Sequence, residues 1–232
     1  SEGYDFLGLM TGSEGLLGVV TEVTVKITKT PEIIRAALIG FSSIEDAGNC
    51  VAEIIAKGCI PAGMEIMDKA LLKATNDFCK AGYPTEAEAM MIIEFDGSEF
   101  EVESHIKEAE KIAKKNNSSS IKISQSSEER LKFWSGRKAA FPACGDLAPD
   151  YMCMDGSIPR AKLAEVLKEI NNLSKKYKLK VANAFHAGDG NLHPLIMFDA
   201  SDKDQLRRCE EFGAEILKYC VKVGGALTGE HG

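Results

Sequence analysis

His186 and His193 flank a glycine-rich turn sequence at 188–191, and their residue type and spacing are the best suited to chemistry in this chain. A hairpin that turns over this sequence pairs His186 directly with His193, and opposed residues share a face with Cβ atoms about 4.5–5.5 Å apart. Both imidazoles could then bind one divalent ion such as zinc. A register shift of one residue would place the rings on opposite faces. The alternative is that the two histidines only form hydrogen bonds within the hairpin or the core.

A carboxylate and an imidazole follow each other near the C-terminus, at Glu230 and His231, with glycines on both sides. Adjacent side chains of an extended backbone point in opposite directions. Glu230 could therefore bind a metal together with His186 and His193, while His231 acts as a base. Such a set leaves coordination positions open, as catalytic metal sites do. Asp189 is an alternative carboxylate ligand, although a turn residue more often caps its own loop.

Arg137 lies close to the only tryptophan of the chain, within an apolar stretch. Its planar guanidinium can bind a carboxylate ligand through two parallel hydrogen bonds, which a lysine cannot do. The alternative is an ion pair with an internal Asp or Glu. Tyr151 and Asp155 could belong either to the core of a sheet or to a site, and Cys153 is predicted to pack in the interior.

A glycine-rich loop near the N-terminus precedes an alternating apolar run at 19–27, which predicts a strand. The backbone N–H groups of such a loop can hold the phosphates of a nucleotide. The loop lacks the Lys-Ser/Thr pair of a P-loop and the flanking elements of a Rossmann turn, so the pattern alone favours a tight structural turn. The candidate binding residues in it are Gly12, Ser13, Gly15, Gly18 and Val19.

The composition is that of an ordinary folded protein, since 44% of the 232 residues are hydrophobic and 27% are charged. A chain of this length can bury a core without disulfides or a structural metal. The formal net charge of -7 argues against nucleic acid or an anionic membrane surface as the main partner. Seven scattered cysteines without a C-x-x-C pair favour a reducing compartment. No stretch approaches the roughly 18 apolar residues of a membrane-spanning helix.

The periodicity of apolar residues predicts that strands and helices alternate in the chain after Pro31. Short loops, and strands with polar ends, favour an antiparallel sheet. We therefore expect an α+β fold in which the sheet carries helices on one face. Two successive units, divided near residue 125, would resemble a ferredoxin-like arrangement. Strands are predicted at about 36–41, 60–66, 89–95, 119–124, 150–157, 179–185 and 192–198, and helices at about 44–57, 68–79, 99–115, 127–140, 160–176 and 202–223.

Taken together, four motifs resemble the FAD-linked oxidases of the vanillyl-alcohol oxidase superfamily, and most closely the group that contains the FAD-linked glycolate oxidase subunits and the D-lactate dehydrogenases. The resemblance spans essentially the whole chain, with the motifs in the order that the family has. The motifs are the glycine loop and strand at 12–25, the Arg137 region at 137–155, the histidine hairpin at 186–193 and the glycine-flanked pair at 229–232.

The resemblance implies that residues 1–30 are the C-terminal remnant of an FAD-binding domain, including its last strand or strands. Residues 31–223 would form a cap or substrate domain, and residues 224–232 would begin a segment that returns to the FAD domain. Most of the flavin site would then lie outside this chain. We expect such a fragment to bind FAD weakly or not at all and to have no turnover.

The resemblance also implies roles for the candidate residues. Arg137 would bind the substrate carboxylate, and His231 would be the general base. His186, His193 and Glu230 would bind a divalent metal, Zn or Mn, while the glycine loop would contact FAD. The implied reaction converts a 2-hydroxy acid to its 2-oxo acid, with the flavin as hydride acceptor.

Two positions depart from relatives that act on 2-hydroxyglutarate. Those relatives carry a lysine where this chain aligns Cys153 and an asparagine where it has Leu195. A second substrate carboxylate would lose its partners, which favours small monocarboxylates such as glycolate or D-lactate.

Two other classes of function fit some of the same residues. A metal-dependent hydrolase could use the histidines and Glu230 to activate water, and a ferredoxin-like module could bind a ligand without catalysis. The oxidase interpretation implies further partners, namely an FAD-domain homologue and iron–sulfur subunits of an oxidase complex. It also implies a cytoplasmic location, at the inner face of the membrane if those subunits recruit the protein there.

Overall fold

The computed structural model describes residues 3–228, and its central feature is one eight-stranded sheet in which every strand pair is antiparallel. The sheet order is β4-β1-β3-β2-β7-β8-β5, and β6 pairs with β8. The antiparallel α+β prediction is thereby confirmed. The strands are β1 (Ile33–Phe41), β2 (Gly63–Asp68), β3 (Ala89–Gly97), β4 (Ser118–Ile123), β5 (Asp150–Cys153), β6 (Gly156–Ser157), β7 (Val181–His186) and β8 (Asn191–Phe198).

The described residues also form eight α-helices, most of which begin at a side-chain cap. Ser98 and Glu101, for example, form a complete capping box at the start of the fourth helix, which satisfies backbone N–H groups that a helix end leaves without partners. The helices are α1 (Phe6–Met10), α2 (Ile44–Ala56), α3 (Lys69–Cys79), α4 (Glu99–Lys115), α5 (Ser127–Lys138), α6 (Ala140–Ala143), α7 (Leu163–Tyr177) and α8 (Lys203–Lys222).

The chain order and the sheet order together give two ferredoxin-like halves, as predicted. The first half runs β1-α2-β2-β3-α4-β4, with α3 inserted between β2 and β3. In the second half, β8 lies between β5 and β7, and α7 and α8 follow β6 and β8. The strand predicted at 150–157 is two short strands, β5 and β6, interrupted at Met154 and Asp155. The halves meet where β2 pairs with β7.

Helices cover the sheet unequally on its two faces. The four long helices α2, α4, α7 and α8 pack on one face, around a core that includes Phe95, Phe185 and Phe212. The sequence predicted helices on one face of the sheet, and these four helices lie on that face. The opposite face carries a second, smaller core that includes Leu71 and Phe133, and there α3, α5 and α6 cover the sheet. We name this second side the thin face, and it is the side on which the candidate site lies.

The N-terminal segment differs from the prediction. The strand predicted at 19–27 does not form, and the alternating side chains of this run, such as Val19 and Ile27, are exposed. A strand needs a neighbouring strand to satisfy its backbone N–H and C=O groups, and the described part of the chain offers it none. The short helix α1 was not predicted.

Asp68, at the end of β2, is half-buried, and its carboxylate is hydrogen-bonded. It accepts hydrogen bonds from the backbone N–H of Leu71, 3.0 Å away, and from Nδ2 of Asn183, 2.7 Å away. Burial outweighs these bonds and raises the pKa of Asp68 to about 6, because a low-dielectric surrounding disfavours the charged form.

The cysteines and the helices of the described residues can each be characterised by one finding. No disulfide joins any of the seven cysteines, all of which lie within residues 3–228. In the same range, no helix combines the length and the apolar character that crossing a bilayer requires.

A side chain at Gly190, in the hairpin turn between β7 and β8, should lower the stability of the protein. Gly190 has a φ of +77°, and a Cβ there would overlap the carbonyl oxygen of Ile158, whereas Gly58 has a φ of +78° with open space around it. We expect Gly58→Ala to cost about 1–2 kcal/mol of unfolding free energy, which is the left-handed strain alone. Gly190→Ala should cost at least about 1 kcal/mol more, because the backbone must also shift. Urea unfolding measures both values, and equal costs would contradict the contact.

Asp68 should make the stability of the protein depend on pH. Because its folded-state pKa of about 6 exceeds the ordinary 3.8, the folded protein holds the proton to higher pH, so stability falls as pH rises between these values. Asp68→Asn stays neutral and caps helices as well as Asp does. In the parent protein, Nδ2 of Asn183 faces Asp68, and the buried Oδ1 of Asn183 has no hydrogen-bond partner in the described chain. A half-turn of the Asn183 amide brings this Oδ1 to the NH₂ group of the new asparagine, from which it can accept.

We therefore expect Asp68→Asn to be more stable than the parent at pH 7, with the gain shrinking towards pH 4. Asp202→Asn is the matched control, because Asp202 also caps a helix but its hydrogen bonds with Gln205 lower its pKa. The control should lose stability at pH 7. Urea unfolding at several pH values measures both variants, and an Asp68→Asn protein less stable than the parent at pH 7 would refute the assignment.

Candidate functional site

The rings of His186 and His193 meet on the thin face, at the end of the β7–β8 hairpin. Their centroids are 5.1 Å apart and their planes are perpendicular. The predicted pairing of His186 with His193 is wrong by two residues, because His186 pairs with Asn191 and His193 pairs with Ala184. A shift of two residues keeps both side chains on one face, since side chains alternate with a period of two. The rings are therefore diagonal neighbours, and the prediction that they meet is confirmed.

The turn is one residue earlier than predicted, at 187–190, and hydrogen bonds account for its position. The N–H groups of Asp189 and Gly190 both donate to the carbonyl of His186, each at 3.0 Å. The N–H of Gly188 donates to Met64 of β2 at 3.2 Å, and its carbonyl accepts from Arg160 at 3.0 Å. The turn is thus bound to β2 as well as closed on itself.

Glu65 of β2 contacts both Arg137 and the histidine pair. It was not among the residues predicted from the sequence. Its Oε1 lies 2.7 Å from Nδ1 of His186, and its Oε2 accepts a hydrogen bond from Nε of Arg137 at 2.9 Å. Glu65 is only 8% exposed. A charged residue inside the otherwise apolar run 64–67 was the available signal, because a carboxylate is rarely buried without partners.

Arg137 lies in the last turn of α5 and is buried against the sheet. The internal ion pair that was the alternative interpretation of this residue exists, with Glu65. This pair uses only Nε. Within residues 3–228 the two terminal nitrogens of Arg137 make no hydrogen bond. An internal partner and a carboxylate ligand are therefore compatible, because the guanidinium has five donors.

His193 is almost fully buried beside α6 and β5. The ring of Phe141 packs edge-on against its ring, with the centroids 6.3 Å apart. Cys153 packs against the core of the thin face, as predicted, and its Sγ also lies 3.9 Å from Nδ1 of His193. Cys153 pairs with Leu195 across β5 and β8, so these two side chains line the site next to the imidazole.

Asn191 adds a polar group to the same face, because it pairs directly with His186. It is buried, and its Oδ1 has no hydrogen-bond partner among the described residues. The carboxylate of Asp155 is also buried and accepts a hydrogen bond from the hydroxyl of Thr228 at 2.5 Å. Tyr151, by contrast, is 39% exposed at the edge of the sheet. Asp189 is an exposed turn residue.

Glu230 and His231, the predicted third metal ligand and the predicted base, lie outside the described residues. Within residues 3–228, no group of three or more His, Cys, Asp or Glu side chains could hold a metal ion. This part of the chain therefore supplies two imidazoles, a carboxylate behind one of them and an orphaned amide oxygen from Asn191. Such a set fits half of a divalent site that needs a further ligand.

The candidate FAD loop is a largely exposed turn. Gly12 and Gly15 have φ angles of +78° and +79°, with no atom within 4 Å of a Cβ at either position. The N–H of Ser13 donates to Met10 and that of Leu16 donates to Ser13. Gly18 and Val19 follow in the open segment described above. Open backbone of this kind fits close approach by a ligand, although the described residues form no enclosed cradle there.

Proteins of known function that are similar to this chain include glycolate oxidase subunits and a D-lactate dehydrogenase. The chain is 51% identical to glycolate oxidase subunit GlcD of Escherichia coli over 232 residues, which is 100% of this chain and 46% of the relative. It is 39% identical to the protein of the same name in Bacillus subtilis, covering 99% of this chain and 49% of the relative. It is 32% identical to the mitochondrial D-lactate dehydrogenase [cytochrome] of Arabidopsis thaliana, covering 99% and 41%. The chain thus spans about half the length of these relatives.

Solved structures share the fold at low sequence identity. An alkyldihydroxyacetonephosphate synthase superposes with a TM-score of 0.68 at 17% identity, covering 98% of this chain and 46% of its own. A p-cresol methylhydroxylase with bound substrate superposes with a TM-score of 0.61 at 14% identity, covering 85% and 45%.

The family described as "FAD linked oxidases, C-terminal domain" matches residues 30–232, which include the whole sheet, Glu65, Arg137 and the histidine hairpin. The chain therefore belongs to the family of C-terminal domains of FAD-linked oxidases.

Proposed function

We propose that this chain is the substrate-binding part of an FAD-dependent enzyme that oxidises a small 2-hydroxy monocarboxylate, glycolate or D-lactate, to the 2-oxo acid. The observation that carries the proposal is the cluster on the thin face, where Glu65 joins a carboxylate-binding guanidinium to a pair of imidazoles. The relatives named glycolate oxidase subunit and D-lactate dehydrogenase support it. The family match favours it over the hydrolase and binding-module alternatives.

Each residue has a distinct part in this proposal. The terminal nitrogens of Arg137 bind and orient the substrate carboxylate. His186 and His193 hold a divalent metal, Zn or Mn, together with Glu230, and His231 accepts the proton of the substrate hydroxyl. When bound, FAD supplies the hydride acceptor and the metal polarises the hydroxyl. His193 is almost fully buried, so a metal bound to it would be shielded from water on that side.

The N-terminal segment supports the proposed domain organisation. We place residues 1–30 in an FAD-binding domain, residues 31–223 in the cap and residues 224–232 in a segment that returns to the FAD domain. The alternating run at 19–27 is exposed and has no partner strand in the described chain. A sheet in an FAD domain would supply that partner. The glycine loop, with Gly12, Ser13, Gly15, Gly18 and Val19, would then contact the cofactor.

The cross-strand pair of Cys153 and Leu195 supports a substrate with one carboxylate. These two positions are opposite each other and next to His193. Neither a thiol nor an isobutyl group can pair with a second carboxylate, so an extended dicarboxylate would bury a charge without a partner. Glycolate and D-lactate avoid this cost.

The glycolate oxidase relatives of Escherichia coli and Bacillus subtilis are both named as subunits, which supports a complex with further chains. We propose iron–sulfur subunits as the electron-accepting partners. The complex would work on the cytoplasmic side, at the inner face of the membrane where such partners recruit it.

Arg137→Lys tests the carboxylate-binding role. In the protein joined to its FAD-binding domain, we expect KM for glycolate or D-lactate to rise about tenfold or more, because lysine cannot form the paired hydrogen bonds of a guanidinium. Arg130→Lys is the matched control, since Arg130 lies in the same helix and pairs with Glu94 instead. Steady-state kinetics with several 2-hydroxy acids measures the effect. An unchanged KM for all of them would refute the role.

Elemental analysis after exposure to zinc and manganese tests the metal site. We expect near-stoichiometric metal in the parent protein and its loss in the His186→Ala/His193→Ala double variant. His105→Ala is the control, because the ring of His105 packs against Phe95 on the other side of the sheet. Equal metal contents in the double variant and the control would contradict the site.

A further inference from the structure

The carboxylate of Glu65 holds two groups that the proposed function uses for different purposes. Its two oxygens are divided between them, with Oε1 at 2.7 Å from Nδ1 of His186 and Oε2 at 2.9 Å from Nε of Arg137. Glu65 is separated from Arg137 by 72 residues and from His186 by 121 residues along the chain. One buried carboxylate therefore positions two groups and joins three distant parts of the sequence.

The donor identities fix the hydrogen-bond directions. The Nε of an arginine is always a donor, so Oε2 is an acceptor. A carboxylate accepts at both oxygens, so a neutral His186 must carry its proton on Nδ1. The acceptor lone pair of the ring is then on Nε2. A neutral imidazole binds a metal through its unprotonated nitrogen, and a carboxylate on the other nitrogen orients the ring.

The backbone also holds Glu65 at this position. Glu65 pairs directly with His186 where β2 meets β7, and the turn after His186 is bound to Met64 of the same strand. The backbone pairing of β2 with β7 fixes the Cα positions of Glu65 and His186. Few side-chain conformations are then needed to bring the carboxylate to Nδ1.

Glu94 on β3 also binds an arginine of α5, but no histidine. Its Oε2 alone accepts both hydrogen bonds, from Nη1 of Arg130 at 3.0 Å and from Nε1 of Trp134 at 2.6 Å. An indole N–H is a donor only and has no lone pair to direct. Glu94 therefore shares with Glu65 the bond to an arginine of α5 and lacks a contact that could select a tautomer, which makes it a control.

We propose that Glu65 is a positioning residue that holds His186 as the Nδ1–H tautomer, so that Nε2 is the metal-binding nitrogen, while the same carboxylate sets the orientation of Arg137. This inference rests on the proposed function for the metal and the substrate. The tautomer itself can be measured without either of them.

Glu65→Gln separates the contact with Arg137 from the contact with His186. A glutamine of the same shape offers one oxygen and one NH₂ group. Since Arg137 needs an acceptor, the oxygen faces Nε, and the NH₂ faces Nδ1 of His186. That arrangement favours the opposite tautomer, with the proton on Nε2, and leaves the bond to Arg137 in place.

The experiment is ¹⁵N NMR of the histidine rings at about pH 8, above the ordinary imidazole pKa of roughly 6.5, with a zinc titration against a chromogenic chelator on the same samples. We expect a protonated Nδ1 on His186 in the parent protein and a protonated Nε2 in Glu65→Gln. Zinc affinity should fall about 10-fold to 100-fold in Glu65→Gln. Glu94→Gln should change neither the tautomer nor the affinity.

A parent protein with the proton of His186 on Nε2 would overturn the proposal, and this measurement needs no variant. An unchanged tautomer in a folded Glu65→Gln protein would also overturn it. Failure of the parent to bind zinc would count against the metal part of the proposed function, while the tautomer would still decide the role of Glu65.

Discussion

The pairing of β2 with β7 is the constraint on which the rest of this structure depends. It joins the two halves of the sheet through three residue pairs, Glu65 with His186, Ile66 with Phe185 and Met67 with Ala184. Ile66 and Phe185 are fully buried in the core under the long helices, whereas Met67 and Ala184 belong to the core of the thin face. The seam is therefore held from both sides, and the candidate site lies at its open end.

Burying the carboxylate of Glu65 at this seam is favourable only because both oxygens have partners. An unpaired buried charge would cost several kcal/mol, and removing one member of a buried pair typically costs about 3–5 kcal/mol. Arg137 and His186 together meet this requirement. The same contacts that permit the burial also orient the functional groups, so stability and positioning at the seam come from one set of hydrogen bonds.

Local patterns predicted most of the fold, because periodicity and capping act over a few residues. The strands of both halves and the long helices follow from such patterns. Features that depend on distant partners were missed or wrong. The run at 19–27 has strand periodicity but no neighbouring strand in the described chain, and the hairpin register depends on hydrogen bonds from the turn to Met64. The partners of Glu65 could not be assigned, because they are 72 and 121 residues away.

The diagonal meeting of His186 and His193 limits which changes of register this hairpin can accept. A register shift of two residues moves a ring along the thin face and keeps it on that face. The two rings are then diagonal neighbours, which can still contact each other. A step of one residue would send a ring into the core beneath the long helices. A change of length within the paired strands should therefore keep both rings on the thin face when it adds or removes an even number of residues, and separate them when the number is odd.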